Sequence, residues 1–249
     1  MTSPDRHPPD LGMLQRDDYA AKLEAARQRR LLIALFGLVL LTLALSAVAA
    51  GPGVLPGDVW IASQVQRTHG DVGDAVARFI YWLGSLPGLA AGAIAIASVF
   101  AAYRRWPEAA IVLGTVIVRG ANPLLKFILS SPRPTIDLVT VGEQASAMGF
   151  PSGHSMGVAL LYGTSAYLLA RLLPGRGLRC VVWGIAIALI VMTGYGRIYT
   201  GAHWPSDVLG GYLWAWCVAL VLLGAAHVAG IRPSPTVRER RGGVPVARR

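Results

Sequence analysis

Three short segments contain cationic and nucleophilic side chains at spacings that suit phosphate chemistry. They are residues 126–134 (KFILSSPRP), 150–154 (FPSGH) and 196–207 (GRIYTGAHWPSD). Guanidinium and ammonium groups bind phosphate oxygens, and histidine serves either as a nucleophile or as a proton carrier. Because few carboxylates accompany these cations, the segments together predict a site for an anionic, phosphate-bearing ligand.

The third segment places Asp207 four residues after His203. A carboxylate at this spacing can accept the Nδ1–H of the imidazole and fix its tautomer, which leaves Nε2 free as a nucleophile. An aspartate near the start of a helix is also a common N-terminal cap. Taken alone, the pair therefore fits both a catalytic and a structural role.

The other two segments are equally ambiguous when each is considered alone. Ser152 can cap the helix that follows, and Gly153 lets backbone N–H groups approach an anion at the positive end of the helix dipole. His154 fits either a catalytic role or that of an interfacial histidine after a turn. Lys126 ends an apolar run, where a lysine either snorkels to the interface or meets an anion. The coincidence of all three segments is what favours a phosphate site.

Apolar runs surround these segments and indicate a membrane protein. Of the 249 residues, 54% are hydrophobic and only 14% are charged, a composition unlike that of soluble domains. Six runs approach the ~20 residues that a helix needs to cross a bilayer: 31–50, 79–103, 109–130, 153–173, 179–197 and 207–229. We therefore predict an all-α polytopic membrane protein with six transmembrane helices. A lead helix on the membrane surface (1–30) would precede this domain (31–229), and a basic cytoplasmic tail (230–249) would follow it.

The distribution of lysine and arginine predicts the orientation of these helices. In a six-span arrangement, 17 of the 23 basic residues fall on one side, and four fall on the other: Arg67, Arg78, Arg133 and Arg197. Basic residues accumulate on the cytoplasmic side, so both termini are expected in the cytoplasm. The loops 51–78, 131–152 and 198–206 would then face outward, and all three segments would meet at the extracytoplasmic face of the plasma (inner) membrane.

The net charge of +10 does not by itself indicate a nucleic-acid partner. The arginines lie at the termini and between apolar runs, which favours control of topology and attraction to lipid headgroups. Cys180 and Cys217 indicate neither a disulfide framework nor a metal site. Arg119 lies near the middle of the third run with no carboxylate at its depth, and the sequence assigns it no role. Tryptophans near the ends of runs are typical of interfacial belts: Trp60, Trp82, Trp106 and Trp204.

In residue type, spacing and order, the three segments resemble the motif of the type 2 phosphatidic acid phosphatase superfamily. The matching elements are Lys-x6-Arg-Pro, Pro-Ser-Gly-His and Arg-x5-His-x3-Asp, which here extend from Lys126 to Asp207. This family includes membrane lipid phosphatases, undecaprenyl diphosphate phosphatases and glucose-6-phosphatase. One position departs from the pattern, because the family usually has serine where this chain has Gly196. The missing hydroxyl would remove one hydrogen bond to phosphate.

The resemblance implies a role for each matching residue. His203 would attack phosphorus and form a phosphohistidine, with Asp207 holding its imidazole. His154 would protonate the leaving oxygen and then activate water. The phosphate oxygens would be bound by five residues: Lys126, Arg133, Ser152, Gly153 and Arg197. No metal or other cofactor would be needed, since the fixed cations replace it.

The expected function is hydrolysis of the terminal phosphate of a lipid phosphate or diphosphate at the outer face of the bilayer. Undecaprenyl diphosphate left by cell-wall polymerisation, phosphatidic acid and phosphatidylglycerophosphate all fit, and the sequence does not choose among them. A phosphotransferase that uses an acceptor alcohol would keep every motif and stays an alternative. A non-catalytic lipid-phosphate transporter also stays open, although it would need neither the histidine pair nor Asp207. The oligomeric state is not predicted.

Overall fold

The computed structural model describes residues 13–51, 53–129, 131–142 and 148–231, and these residues contain helices but no strands. The all-α prediction is confirmed for this part of the chain. In chain order the helices are α1 (Met13–Ala49), α2 (Asp58–Gln66), α3 (Asp71–Gly84), α4 (Leu86–Ala102), α5 (Trp106–Arg119), α6 (Asn122–Leu129), α7 (Gly153–Leu172), α8 (Arg176–Tyr199) and α9 (Pro205–Val228).

Two compact units are distinguished along the chain. The first extends to Leu41 and, over its described residues, is a single stretch of helix. The second begins at Thr42 and contains the end of α1 and all the other helices. Helix α1 is unbroken at residue 30, so the boundary between a surface helix and a first span stays a prediction. Residues 1–12 and 232–249, which include most of the predicted basic tail, lie outside the described residues.

Helix α7 is the central element of the second unit and packs against α5, α8 and α9. Thirteen of its 20 residues are buried. Leu161 and Leu168 of α7 share an apolar cluster with Leu89 of α4 and Val112 of α5. At 1.5 Å per residue, a helix of this length extends about 30 Å, the thickness of a bilayer core.

Within the described residues, four stretches of helix are long and apolar enough to cross a membrane: Gln28–Ala49, Trp106–Leu129, Arg176–Tyr199 and Pro205–Val228. The bent pair α3 and α4 would be a fifth. Helix α7 does not meet the same criterion, although most of its glycine and serine residues are buried. The helices are those of a multi-pass membrane protein, and the count of six spans stays a prediction.

The second predicted span, 79–103, is wrong as a straight helix, because α3 and α4 meet at an angle of 68°. Ser85 interrupts the helix with an extended backbone (φ −68°, ψ 160°), and its Oγ accepts the N–H of Gly88 at 3.2 Å. Pro87, in the first turn of α4, has no N–H with which to continue the hydrogen bonds of α3. The bend brings the C-terminal end of α3 against the start of α7.

The third predicted span, 109–130, corresponds to Trp106–Leu129, which is long and apolar enough to cross a membrane. It contains a short break, since α5 ends at Arg119 and α6 begins at Asn122. Helix α2 was not predicted and lies within 51–78, which was predicted to be an outer loop. Trp204 is also not a belt residue: it is 2% exposed and packs with Ala62 of α2 and Val139. It is buried because the turn before α9 folds inward against α2, whereas Trp60 on α2 is 68% exposed.

Candidate active site

The third segment forms a tight turn between α8 and α9. Helix α8 ends at Tyr199, and the backbone N–H groups of Ala202 and His203 both donate to the carbonyl of Arg197, at 3.1 and 3.2 Å. Gly201 has φ +65°, and a Cβ there would lie 2.0 Å from the carbonyl oxygen of Thr140. Because only glycine fits this turn, the sequence folds His203 back toward the end of α8.

His203 and Asp207 form the predicted pair. The Nδ1–H of His203 donates to Oδ2 of Asp207 at 3.2 Å, and the two residues are 2% and 0% exposed. The same Oδ2 accepts the backbone N–H of Trp204 at 3.0 Å. Asp207 therefore caps α9 and orients the imidazole at once. Its catalytic role stays a prediction. With Nδ1 engaged, Nε2 is the nitrogen left to react.

The cations of the first segment hold the other segments in place. Arg133 Nη1 donates to the carbonyl of Ala202 at 2.7 Å, directly before His203. Lys126 Nζ donates to the carbonyls of Met148 and Gly149 at 2.9 and 3.4 Å, shortly before the second segment. The three segments, separated in sequence, are therefore joined by direct hydrogen bonds.

Ser152 begins helix α7 and is fully buried. Its Oγ accepts the backbone N–H of Ser155 at 3.5 Å and the hydroxyl of Ser155 at 3.1 Å, as expected of an N-terminal cap. Its backbone N–H donates to the carbonyl of Asp207 at 3.0 Å, which ties the start of α7 to the start of α9. This arrangement places Gly153 and the positive end of the α7 dipole beside the His203–Asp207 pair.

His154 is held by packing rather than by hydrogen bonds. Its ring stacks on Tyr81 of α3, with centroids 5.0 Å apart and planes inclined by 29°. A Cβ added at Gly84 would lie 2.9 Å from Cδ2 of His154 and 3.0 Å from its Cβ. Its Nε2 is buried and has no hydrogen-bond partner among the described residues. The Tyr81 ring also makes a cation–π contact with the Arg197 guanidinium, whose Cζ is 5.3 Å from the ring centroid.

The electrostatic setting keeps His203 neutral. Burial lowers the pKa of His203 well below its ordinary value of 6.5, and the nearby Arg197, Lys126 and Arg133 cations lower it further. A neutral imidazole has a lone pair available for attack on phosphorus, whereas an imidazolium has none. The protein thus keeps this histidine in its nucleophilic form at neutral pH.

Sequence reasoning missed Asp58, which supports the same turn from helix α2. Its carboxylate accepts the backbone N–H of Ser206 at 2.9 Å and the Ser206 hydroxyl at 2.6 Å. Burial raises the pKa of Asp58, and the two bonds from Ser206 oppose that rise. Tyr81 and Gly84 were missed for the same reason: α2 and α3 meet the site only in the folded chain, and no local pattern marks them.

Within the described parts of the chain, no group of three or more His, Cys, Asp or Glu side chains could hold a metal ion. The cations around His203 have the chemistry to bind phosphate, and that they do so stays a prediction. That the chemistry needs no metal or cofactor stays a prediction.

Comparison with known proteins agrees with this geometry. The family model described as PAP2 superfamily matches residues 107–230, which include all three segments. The chain belongs to the PAP2 superfamily. A crystal structure of a transmembrane PAP2-type phosphatidylglycerolphosphate phosphatase from Bacillus subtilis has a similar fold, with a TM-score of 0.67 and 27% identity. It is matched over 78% of this chain and 96% of that one.

Curated relatives in the PAP2 superfamily match a shorter part of the chain. Phosphatidylglycerophosphatase B of Bacillus subtilis (strain 168) is 38% identical over 36% of this chain. The undecaprenyl-diphosphatase of Sulfolobus acidocaldarius is 28% identical over 41% of it. The matched segments cover 44% and 47% of those two proteins, so this chain matches less than half of either.

Proposed function

We propose that this PAP2 protein is an integral membrane phosphatase that removes the terminal phosphate from a lipid phosphate or diphosphate. The observation that carries the proposal is the buried His203–Asp207 pair, with Nδ1 bound at 3.2 Å and Nε2 left to react. A protein that only bound headgroups would gain nothing from burying a neutral, oriented imidazole beside several cations. The names of the relatives, a phosphatidylglycerophosphatase and an undecaprenyl-diphosphatase, agree with a lipid substrate.

The proposed reaction has two steps. In the first, Nε2 of His203 attacks phosphorus and the bond to the leaving oxygen breaks, while protonated His154 gives its proton to that oxygen. In the second, neutral His154 takes a proton from water, the resulting hydroxide displaces His203 from phosphorus, and inorganic phosphate leaves. Both histidines return to their starting states. Lys126, Arg133 and Arg197 would stabilise the charge that develops on the phosphoryl oxygens.

An open cavity of about 570 Å³ adjoins the candidate site and gives the rest of the substrate a place to lie. Tyr81, which touches both His154 and Arg197, forms part of its wall. The charged side chains of Asp74 and Arg78 also line it. The charged and hydroxyl groups on this wall suit a headgroup, while the acyl or prenyl chain would remain in the bilayer.

The proposal is tested by phosphate release from purified protein in the presence of EDTA. The panel contains phosphatidic acid, phosphatidylglycerophosphate and undecaprenyl diphosphate, each with and without a candidate acceptor alcohol. Release that survives EDTA and stops with orthovanadate, which imitates the phosphoryl transition state, would support it. Transfer to the alcohol in place of release would indicate a phosphotransferase. Binding of the lipids without either reaction would indicate a transporter.

The proposed site faces the outside of the cell, and this needs a separate test. Asp137 in the predicted outer loop and Arg176 at the start of α8 are both exposed. Single cysteines at these positions, with Cys180 and Cys217 replaced, would be treated with a membrane-impermeant thiol reagent on intact cells. Labelling at Asp137 alone supports an outer-leaflet reaction. Labelling at Arg176 alone would reverse the orientation and leave the phosphatase chemistry intact.

A further inference from the structure

Arg119, to which the sequence assigns no role, lies along helix α7 in a groove made by two glycines. It is the last residue of α5. A Cβ added at Gly157 would lie 3.4 Å from Cγ and 3.5 Å from Nε of Arg119. A Cβ added at Gly153, one turn closer to the start of α7, would lie 3.1 Å from Nη2. The side chain therefore runs from Gly157 toward Gly153, and its guanidinium ends beside the motif residue Gly153.

The same face of this region carries two other polar side chains that point to the start of α7. Asn122 is 3% exposed, and its Oδ1 would lie 2.8 Å from a Cβ at Gly153. Lys126 follows one turn later and reaches the carbonyls of Met148 and Gly149. Asn122 and Lys126 are four positions apart and share one face of α6. Arg119 belongs to α5, but its Nη2 and the Oδ1 of Asn122 both lie beside Gly153.

Among the residues that the structure describes, the guanidinium of Arg119 has no anionic partner. It makes no hydrogen bond or ion pair with any described residue, and its Nε is completely buried without an acceptor. It is also close enough to Lys126 and His154 to repel positive charge on both. A cation held at membrane depth among other cations, and beside the positive end of a helix dipole, is unfavourable unless an anion joins it.

We propose that Arg119 is a further phosphate-binding residue of this site, in addition to the three cations of the motifs. The inference rests on the proposed phosphatase function. When the substrate phosphate lies against the Gly153 N–H, the guanidinium at Gly153 donates to a phosphate oxygen and obtains the anionic partner that the empty site does not supply. Glycine at 153 leaves room for this arrangement, because a Cβ there would lie 2.8 Å from Asn122 Oδ1 and 3.1 Å from Arg119 Nη2. At Gly157 a Cβ would collide with Leu89, 2.3 Å away, and would lie at ordinary contact distance from Arg119.

The test compares ligand binding with the stability of the empty protein. Full-length wild type, Arg119→Met, Arg119→Lys and the control Arg171→Met are purified in detergent. Arg171 is at the opposite end of α7, where its Nη1 donates to Tyr167. Thermal unfolding is followed with and without orthovanadate or inorganic phosphate, and the ligand-induced rise gives the dissociation constant. Steady-state kinetics on the best lipid substrate follow.

Arg119→Met should weaken orthovanadate binding and raise KM by about 10- to 100-fold, the range for loss of one charge-assisted hydrogen bond. The empty variant should unfold at the same temperature as wild type or higher, because a buried charge without a partner has been removed. Arg119→Lys, which keeps the charge, should recover part of the affinity. Arg171→Met should bind orthovanadate as wild type does.

Three results would overturn the proposal. One is wild-type affinity in Arg119→Met. Another is failure of Arg119→Met to fold, which would indicate a structural role. A lower unfolding temperature of Arg119→Met, together with an equal loss of affinity in Arg119→Lys, would indicate the same. The third is a wild-type protein that neither binds orthovanadate nor releases phosphate, in which case the proposed function fails as well. If wild type releases phosphate and the Arg119 variants bind orthovanadate and turn over as wild type does, the proposed function stands. Only the phosphate-binding role of Arg119 would then be contradicted.

Discussion

The two histidines of the site are held by different means. On one side, His203 is fixed by polar contacts: Nδ1 bonds to Asp207, and its backbone N–H bonds to the carbonyl of Arg197. Arg133 bonds to the residue before it, and Asp58 anchors Ser206 in the turn that follows. His203 is consequently 2% exposed and has one orientation.

On the other side, His154 has only packing contacts. The Tyr81 ring stacks on one face of the imidazole, and Gly84 leaves room for it where any side chain would collide. No described residue bonds its Nε2. This nitrogen is therefore available to whatever occupies the site.

The difference corresponds to the two roles proposed for these residues. A nucleophile must be aligned with phosphorus before the reaction, so rigid hydrogen bonds favour catalysis. A general acid and base must exchange its proton with the leaving oxygen and then with water. A permanent hydrogen bond from the protein to Nε2 would compete with both steps, whereas contacts on the ring face hold its position without blocking that nitrogen.

The largest expected effect comes from removing each histidine in turn. His203→Ala should reduce turnover below about a ten-thousandth of wild type, beyond what loss of general acid–base assistance explains. His154→Ala should also be slow but should accumulate a phosphoenzyme from an aryl phosphate, whose leaving group needs no proton. Quenched single-turnover reactions with radiolabelled aryl phosphate measure both quantities.

His227→Ala, at the exposed end of α9, is the matched control and should retain wild-type turnover. A residual rate above about a hundredth in His203→Ala would contradict the assignment of the nucleophile. If a phosphoenzyme accumulates in His203→Ala but not in His154→Ala, His154 is the nucleophile and His203 the general acid and base.

Breaking the polar contact on the His203 side should have the next largest effect. Asp207→Asn keeps the shape of the side chain, but its amide can donate to Nδ1 and favour the tautomer with Nε2 protonated. Turnover should fall by about 10³- to 10⁴-fold, as for the equivalent change in a histidine held by aspartate elsewhere. Asp58→Asn retains an oxygen that can accept a hydrogen bond from Ser206, so its turnover should fall by less than about tenfold. Equal losses in the two variants would indicate that Asp207 acts only as a helix cap.

Disturbing the packing on the His154 side should have a smaller effect. In Gly84→Ala the new Cβ would lie 2.9 Å from His154, so the imidazole has to move. A displacement of an ångström in a catalytic group reduces turnover by about 10- to 100-fold. Gly196→Ala is the matched control, because its Cβ would lie 3.4 Å from Cγ2 of Ile80, an ordinary contact. Comparable turnover in both variants would mean that the position of His154 is not set by α3.

The sequence predicted the side of the site that is local in the chain. The spacing of His203 and Asp207, the cap at Ser152 and the helices that follow them are visible in a few consecutive residues. The contacts of His154 depend on α3, which reaches α7 only because the chain bends at Ser85. Pro87 is a local sign of this bend, but the continuous apolar run 79–103 led to the prediction of a single span.

The burial of Trp204 and the support from Asp58 were also beyond the sequence. Both depend on α2, a short helix in a loop that the hydropathy pattern treats only as a connection. Arg119 was visible as an unusual residue, but its direction depends on how α5 packs against two glycines of α7. Local patterns predicted the groups proposed to react, whereas long-range packing decides how each is held.

The smallest expected effect concerns the protonation of His203. Its folded-state pKa is well below 6.5, because of burial and the Arg197, Lys126 and Arg133 cations. His203 should therefore stay neutral as the pH falls from 8 to 5.5, while an exposed histidine gains a proton near pH 6.5. The unfolded chain does gain that proton, so this residue should make folding stability fall as the pH drops below about 6.5 and leave it unchanged above. Carbon-13 NMR of histidine-labelled protein measures the titration directly, with the His203 signal assigned by its absence in His203→Gln. A His203 signal that gains a proton between pH 8 and 5.5 would mean that water reaches the imidazole. The contrast between a nucleophile fixed by hydrogen bonds and a general acid held only by packing would then be lost.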